Sequence, residues 1–185
     1  MSEPFDLESL QTRFNRGDRL KFLFFWGHTP KQAGLGKECF SQWYPASFEL
    51  DDFHYQSAEH YMMAEKARLF GALEIHAEIL AAKTPGAAKE LGRRVANFDE
   101  ILWREKRCDI VVAGNIAKFS QNRKLGEFLL STGARILVEA SPTDRIWGIG
   151  LAQQDQRCEN PTRWRGLNLL GFALMRVRSR LSGET

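Results

Sequence analysis

Glu59 and Lys66 stand seven residues apart in the stretch YQSAEHYMMAEKARLF, Tyr55 to Phe70. On an α-helix that spacing puts both side chains within about 20° of one face and about 10 Å apart along the axis. Met62 and Met63 fall on or beside that face, with Tyr55 and His60 near its start. A carboxylate and an amine two turns apart, with soft apolar side chains between them, suit the two ends of a bound molecule. The same residues also suit an ordinary core helix, with Glu59 at the positive helix end, Met62, Met63 and Leu69 in the core and Lys66 in solvent. Periodicity leaves both readings open.

A second stretch, SPTDRIWGIG from Ser141 to Gly150, follows an apolar run of strand length. Asp144 suits an acid, a base or a hydrogen-bond acceptor, and Trp147 offers a face on which a planar base stacks. Gly148 and Gly150 permit close approach or backbone conformations closed to other residues. A tight turn around a core tryptophan explains the stretch equally well.

Several elements must position these groups. RLKFLFFWGH reads as a buried strand ending at a Gly-His-Thr-Pro turn, and residues 29–45 as a loop. ASFELDDFHYQS reads as two short strands around Asp51 and Asp52. Ser57 is the expected N-cap of the helix carrying Glu59, and further helices are expected over 71–82, 85–94, 99–118 and 121–131. ARILVEAS reads as a strand, and GLNLLGFALMRVRSRL as a C-terminal helix with basic last turns. Helices segregated from a few short strands indicate a mainly helical α+β domain, and argue against a doubly wound parallel sheet. Residues 1–19 are expected to form an extension with one short helix, and residues 20–185 a single catalytic domain.

The 185 residues, 43% hydrophobic and 26% charged, suffice for one core and leave little room for two. No apolar run is long enough for a membrane span, and the acidic, polar N-terminus does not read as a signal peptide, so a cytoplasmic protein without a membrane partner is expected. Cys39, Cys108 and Cys158 are odd in number and widely separated, which suggests neither a disulfide framework nor paired zinc ligands. His28, His54, His60 and His76 form no metal-binding spacing, and no metal or other cofactor is expected. GLGKEC, at 34–39, lacks the spacing and ending of a phosphate loop. A net charge of +3 does not by itself mark a nucleic-acid binder, although Arg157 to Arg165 and Arg176 to Arg180 are basic segments.

Taken in order, CFSQWYP, YQSAEHYMMAEKARLF, LGRRV before Trp103, IAKFSQNRKLGEFLLSTGARILVEASPTDRIWGIG and RGLNLLGFALMRVR resemble the YbiA-like NADAR family of N-glycosidases, from about Phe24 to Leu181. The resemblance implies a YbiA-like fold, a compact helical bundle with a few short antiparallel strands. It also implies hydrolysis of the bond between C1 of a ribose and a nitrogen on a base. Some members act on ribosylamino-pyrimidine phosphates of early riboflavin biosynthesis; others remove ADP-ribose from guanine in nucleic acid. The family's segments fall here on Ala58-Glu59-His60-Tyr61, Lys66, Gly92-Arg93, Asp144, Trp147, Gly148 and Gly150, and Asn168 to Gly171. The riboflavin-type loop reads Trp-Gly-Asp-Gly, and Ile149 replaces that carboxylate here.

The resemblance thus implies catalytic roles for Glu59 (proton transfer), Lys66 (nucleophile or electrostatic partner of a phosphate) and Asp144 (orienting ribose or water). Trp147, Trp43 and Trp103 are expected to stack the base and Arg93 to pair with phosphate, with Gly148, Gly150 and Asn168 also in the binding set. His60 stands between a ligand contact and a core histidine. The expected partner is a phosphorylated ribosyl small molecule, the alternative being ADP-ribosylated DNA or RNA. A module that binds ADP-ribose or NAD without catalysis, and a helical interaction protein, are the readings outside the class.

Overall fold

The computed structural model describes residues 5–29 and 34–183. These fall into two compact units, one formed by Met1–Gly27 with Glu127–Thr185 and the other by His28–Gly126.

In the first unit, Asp6 caps helix α1 (Leu7–Asn15) by accepting from the Ser9 N–H at 2.7 Å. Leu10 of this helix is fully buried, and Gln11 Nε2 donates to Pro161 O at 3.0 Å. The short helix expected within residues 1–19 is therefore part of the unit's packing. Strand β1 (Phe22–Phe25) pairs with β4 (Ile136–Glu139), Phe22 opposite Ile136 and Phe25 opposite Glu139. This pair is parallel, which corrects the expectation of antiparallel strands throughout. Parallel neighbours need a long crossover, and here the whole second unit lies in sequence between them. β4 is buried along most of its length, as its run of Ile, Leu and Val demands, and helix α7 (Leu169–Ser182) packs on it.

In the second unit, β2 (Phe48–Leu50) and β3 (Phe53–Tyr55) form the expected antiparallel hairpin. Asp51 and Asp52 both take positive φ, 50° and 64°, as a two-residue hairpin turn requires of its central pair. Helices α2 (Ala58–Leu69), α3 (Leu73–Ala81), α4 (Pro85–Arg93) and α5 (Glu100–Gln121) follow, and α6 (Arg123–Leu130) crosses the boundary between the units. Thr84 and Asp99 cap α4 and α5 with their side chains, and Pro85 sits at the first helical position, where its missing N–H costs nothing. The loop expected over 29–45 contains a 3-10 turn at Lys37–Phe40, while residues 30–33 of that loop lie outside the described residues.

Helix α2 is packed against α3, α4 and α5, and nine of its 12 residues are buried. A helix covered over most of its surface needs no narrow apolar stripe, which is why its sequence mixes charge, methionine and aromatics without a clean polar face. It is neither an ordinary amphipathic helix nor a surface edge.

Candidate active site

Ser57 enters α2 in an extended conformation and holds its first turn. Its Oγ accepts from the His60 N–H and lies 2.8 Å from His60 Nδ1, while His60 Nε2 lies 3.1 Å from Ala82 O. A carbonyl only accepts, so Nε2 carries the proton and Nδ1 accepts from the Ser57 hydroxyl. Burial pushes the His60 pKa down, against the raising effect of the Ala82 carbonyl. His60 is thus a buried fastener between α2 and the end of α3, with both ring nitrogens occupied by protein.

Glu59 lies in the first turn of α2 and is 3% exposed. Its backbone N–H donates to Gln42 O at 2.9 Å, which supplies a partner that the start of a helix lacks. Gln42 is in turn held from α5, its Oε1 accepting from Asn115 Nδ2 at 2.8 Å. One turn further along α5, Lys118 Nζ donates to Cys39 O at 2.7 Å and Ser41 O at 2.9 Å. Lys118 is fully buried, and burial pushes its pKa down to about 7. The segment from Cys39 to Gln42, which meets the backbone of Glu59, is therefore clamped by two polar residues of α5. Sequence reasoning missed both. The available signal was that Asn115 and Lys118 interrupt an otherwise apolar run, IVVAGNIAKF, at helical spacing.

Two turns along α2, Lys66 is half-buried and donates to Gly92 O at 2.9 Å. Its ammonium lies 4.4 Å from the centre of the Phe98 ring and 6.0 Å from that of Trp103. Burial lowers the Lys66 pKa, Glu100 opposes that shift, and Arg93 adds to it. Gly92 allows the close approach of α4 to α2: a Cβ there would stand 2.3 Å from Met63 Sδ. The structure thus gathers Lys66, Gly92 and Trp103, together with Phe98, which sequence reasoning did not single out.

Arg93 is exposed and pairs with Glu90. Trp43 is half-buried next to Gln42, its ring 5.5 Å from that of His28 and 5.7 Å from Lys89 Nζ.

The residues expected from the second stretch lie in the other unit. Asp144 Oδ1 accepts from the N–H groups of Ile146 and Trp147, each at 2.8 Å, and Asp144 O accepts from Gly150 N at 3.0 Å. One carboxylate oxygen thus shapes its own loop in the manner of an Asx turn. Gly148 is packed so closely that a Cβ would meet Glu139 O at 2.8 Å, and Gly150 takes φ +65°. Asn168 is fully buried in the left-handed region, its Oδ1 accepting from Glu139 N at 3.0 Å and its Nδ2 donating to Leu137 O at 2.9 Å. The side chain of Asn168 thus continues the ladder of β4 and seats the start of α7. What Gly148, Gly150 and Asn168 supply is the shape of the loop. Trp147 is half-buried at the loop's centre, and the loop follows the carboxyl end of β4. Ile149 is fully buried, so the position that carries an acid in the riboflavin-type loop is here part of the core.

One unit thus holds a buried carboxylate, Glu59, with a lysine of lowered pKa and the rings of Phe98 and Trp103, and the other holds Asp144 and Trp147 in a loop shaped by its own hydrogen bonds. The model of the NADAR domain matches residues 24–182, and the chain belongs to the NADAR family. A protein named N-glycosidase from Acanthamoeba polyphaga mimivirus is 45% identical over 163 residues, covering 85% of this chain and 95% of that one. An N-glycosidase of Nostoc punctiforme is 34% identical, covering 77% of this chain and 85% of that one. The chloroplastic riboflavin biosynthesis protein PYRR of Zea mays is 35% identical, but only 23% of its length is covered, against 78% of this chain. The NMR structure of the E. coli protein YbiA shares the fold, with a TM-score of 0.70 and 23% identity, covering 98% of this chain and 94% of that one. Among the described residues no helix is long and apolar enough to cross a membrane.

Proposed function

We propose that the chain is an N-glycosidase that hydrolyses the ribosyl C–N bond of a ribosylamino-pyrimidine phosphate. The observation that carries this reading is the pairing, two turns apart on α2, of a buried carboxylate with an amine whose pKa burial lowers, in a relative of proteins named N-glycosidases. Hydrolysis breaks the bond between C1 and the base nitrogen. The nitrogen leaves with a proton, the electron-poor C1 accepts water, and the water's remaining proton returns to the enzyme. Glu59 serves the proton transfer, as carboxyl groups do in glycoside hydrolysis generally.

Lys66 has two routes open to it. As a neutral amine it attacks C1 of the opened sugar, the base departs protonated, and water then hydrolyses the resulting imine. As an ammonium it holds the phosphate by charge alone. Phe98 and Trp103 shield it from water in either role, and the Gly92 carbonyl fixes its direction. Borohydride trapping during turnover, followed by peptide mass spectrometry, separates the two routes: an adduct at Lys66 supports attack, and its absence leaves electrostatic holding.

The basic segment from Arg157 to Arg165 and the apolar Ile149 favour a second reading, release of ADP-ribose from guanine in nucleic acid. Assay of one preparation against both substrates, with Glu59→Gln as the blank, decides between them. Binding of ADP-ribose with no base released from either substrate would instead indicate a non-catalytic module. Asp144→Asn and Trp147→Ala test, by their effects on turnover and on KM, the proposed parts of those residues in orienting the ribose and stacking the base.

A further inference from the structure

At the amino ends of β1 and β4, the first unit contains a cleft of about 650 Å³ whose lining includes Arg13, Arg19, Lys21, Ser131, Thr132 and Arg135. Its walls come from the end of α1, the run into β1, and the turn between α6 and β4. The strand pairing fastens these walls together, because Ile136 N donates to Lys21 O at 2.8 Å. The turn forming one wall is braced from inside. Buried Arg178 donates to Thr132 Oγ1 at 2.7 Å and to Arg135 O at 2.9 Å. Arg135 itself donates to the carbonyls of Thr132 and Ser131, at 2.9 and 3.0 Å.

Among the described residues that line it, four are cations and none is a carboxylate. Asp18 offsets part of this charge, bonded to Arg13 and Arg16 at 2.9 Å each. With Arg13 paired to Asp18, Arg19, Lys21 and Arg135 add three further cations to the lining, with Arg178 buried beneath. Cations on a solvated helix face diverge into water. Here they converge from separate segments on a concavity, where low-dielectric walls focus the field and reward an anion.

We propose that this cleft binds a chain of two or more linked phosphates. A single phosphate would leave several of the converging cations without a counter-charge, whereas linked phosphates distribute charge along the cleft. The cleft is distinct from the Asp144 loop: it opens at the amino ends of the parallel strands and the loop follows the carboxyl end of β4, so the strands' four residues, about 13 Å, separate them. The inference rests on charge and shape alone and holds whether or not the chain is an N-glycosidase.

Two probes distinguish the sources of such a ligand: inorganic tripolyphosphate, followed by calorimetry, and a short labelled single-stranded oligonucleotide, followed by fluorescence anisotropy. For three phosphate contacts to a single strand, log K should fall with log salt at a slope of about −2, roughly 20-fold between 50 and 200 mM. In Arg19→Glu with Lys21→Glu, binding should be lost or its salt slope reduced to about −0.7. N-glycosidase turnover should be unchanged, since neither residue belongs to the proposed catalytic set. A control pair, Lys83→Glu with Lys124→Glu, makes the same change in net charge at exposed positions elsewhere and should bind nearly as wild type. Binding of tripolyphosphate alone identifies a free oligophosphate, and binding of the oligonucleotide identifies a nucleic-acid backbone; either supports the cleft if the first variant loses it. Failure of both probes at low salt, retention of binding in the cleft variant, or equal loss in the control overturns the proposal.

Discussion

Replacing Gly92 by Ala tests the contact that places the acceptor of Lys66. The added Cβ would stand 2.3 Å from Met63 Sδ, 3.0 Å from its Cγ and 3.2 Å from its Cβ. Swinging the sulfur aside does not clear the carbons nearer the backbone, and Met63 is only 8% exposed. Helix α4 must therefore move away from α2, at a cost of about 1–3 kcal/mol for overpacking of this kind. For a chain of this size that corresponds to a fall in Tm of roughly 2–12 °C. The same movement lengthens the bond from Lys66 to Gly92 O, so turnover should fall by more than the loss of folded protein explains. The informative assay is a double-mutant cycle by denaturant unfolding with Met63→Ala, which removes the two nearest atoms, Sδ and Cγ. In that background Gly92→Ala should cost less by about 1 kcal/mol or more, the coupling expected for residues in direct contact. An equal cost in both backgrounds would refute the account of this contact.

Ser57→Ala removes both the cap of α2 and the hydroxyl that donates to His60, and should lower stability by about 1–2 kcal/mol, measured by the shift of the urea midpoint. Lys118 makes stability depend on pH in a stated direction. Its folded pKa of about 7 lies below the ordinary 10.5, so the folded chain binds fewer protons than the unfolded chain between those values. The burial penalty is fully present below pH 7 and disappears as pH rises toward 10.5. Relative to Lys118→Met, wild type should therefore gain roughly 1.4 kcal/mol per pH unit between about pH 7 and 9, measured by denaturant unfolding of both proteins. A difference independent of pH over that range would show that Lys118 is charged in the folded state throughout.

Most of the fold was legible in local patterns. Ser57, Thr84-Pro85 and Asp51-Asp52 announce a helix start, another helix start and a hairpin turn because their roles are set by neighbours within a few residues. Strand direction was not legible: β1 and β4 are more than a hundred residues apart, and nothing local to FLFF tells parallel from antiparallel pairing. The candidate site divides the same way. The seven-residue spacing of Glu59 and Lys66 is a local fact, and both residues stand on α2. The clamp of Gln42, Asn115 and Lys118, the ring of Phe98 over Lys66, and the use of His60 and Asn168 as internal fasteners depend on contacts between distant segments. Polar residues of identical type serve ligands or the protein's own backbone, and only the partners that burial assigns them decide which.

The most direct test of the proposed reaction is the amount of free base and free sugar phosphate released from a ribosylamino-pyrimidine phosphate, measured together by chromatography with wild type and with folded Glu59→Gln. The account predicts equimolar release by wild type and a loss of about 100-fold or more in the variant, the range of a positioned acid–base group. Release at the wild-type rate by the variant would contradict the role of Glu59, and no release by the wild type from this substrate would contradict the proposed reaction itself.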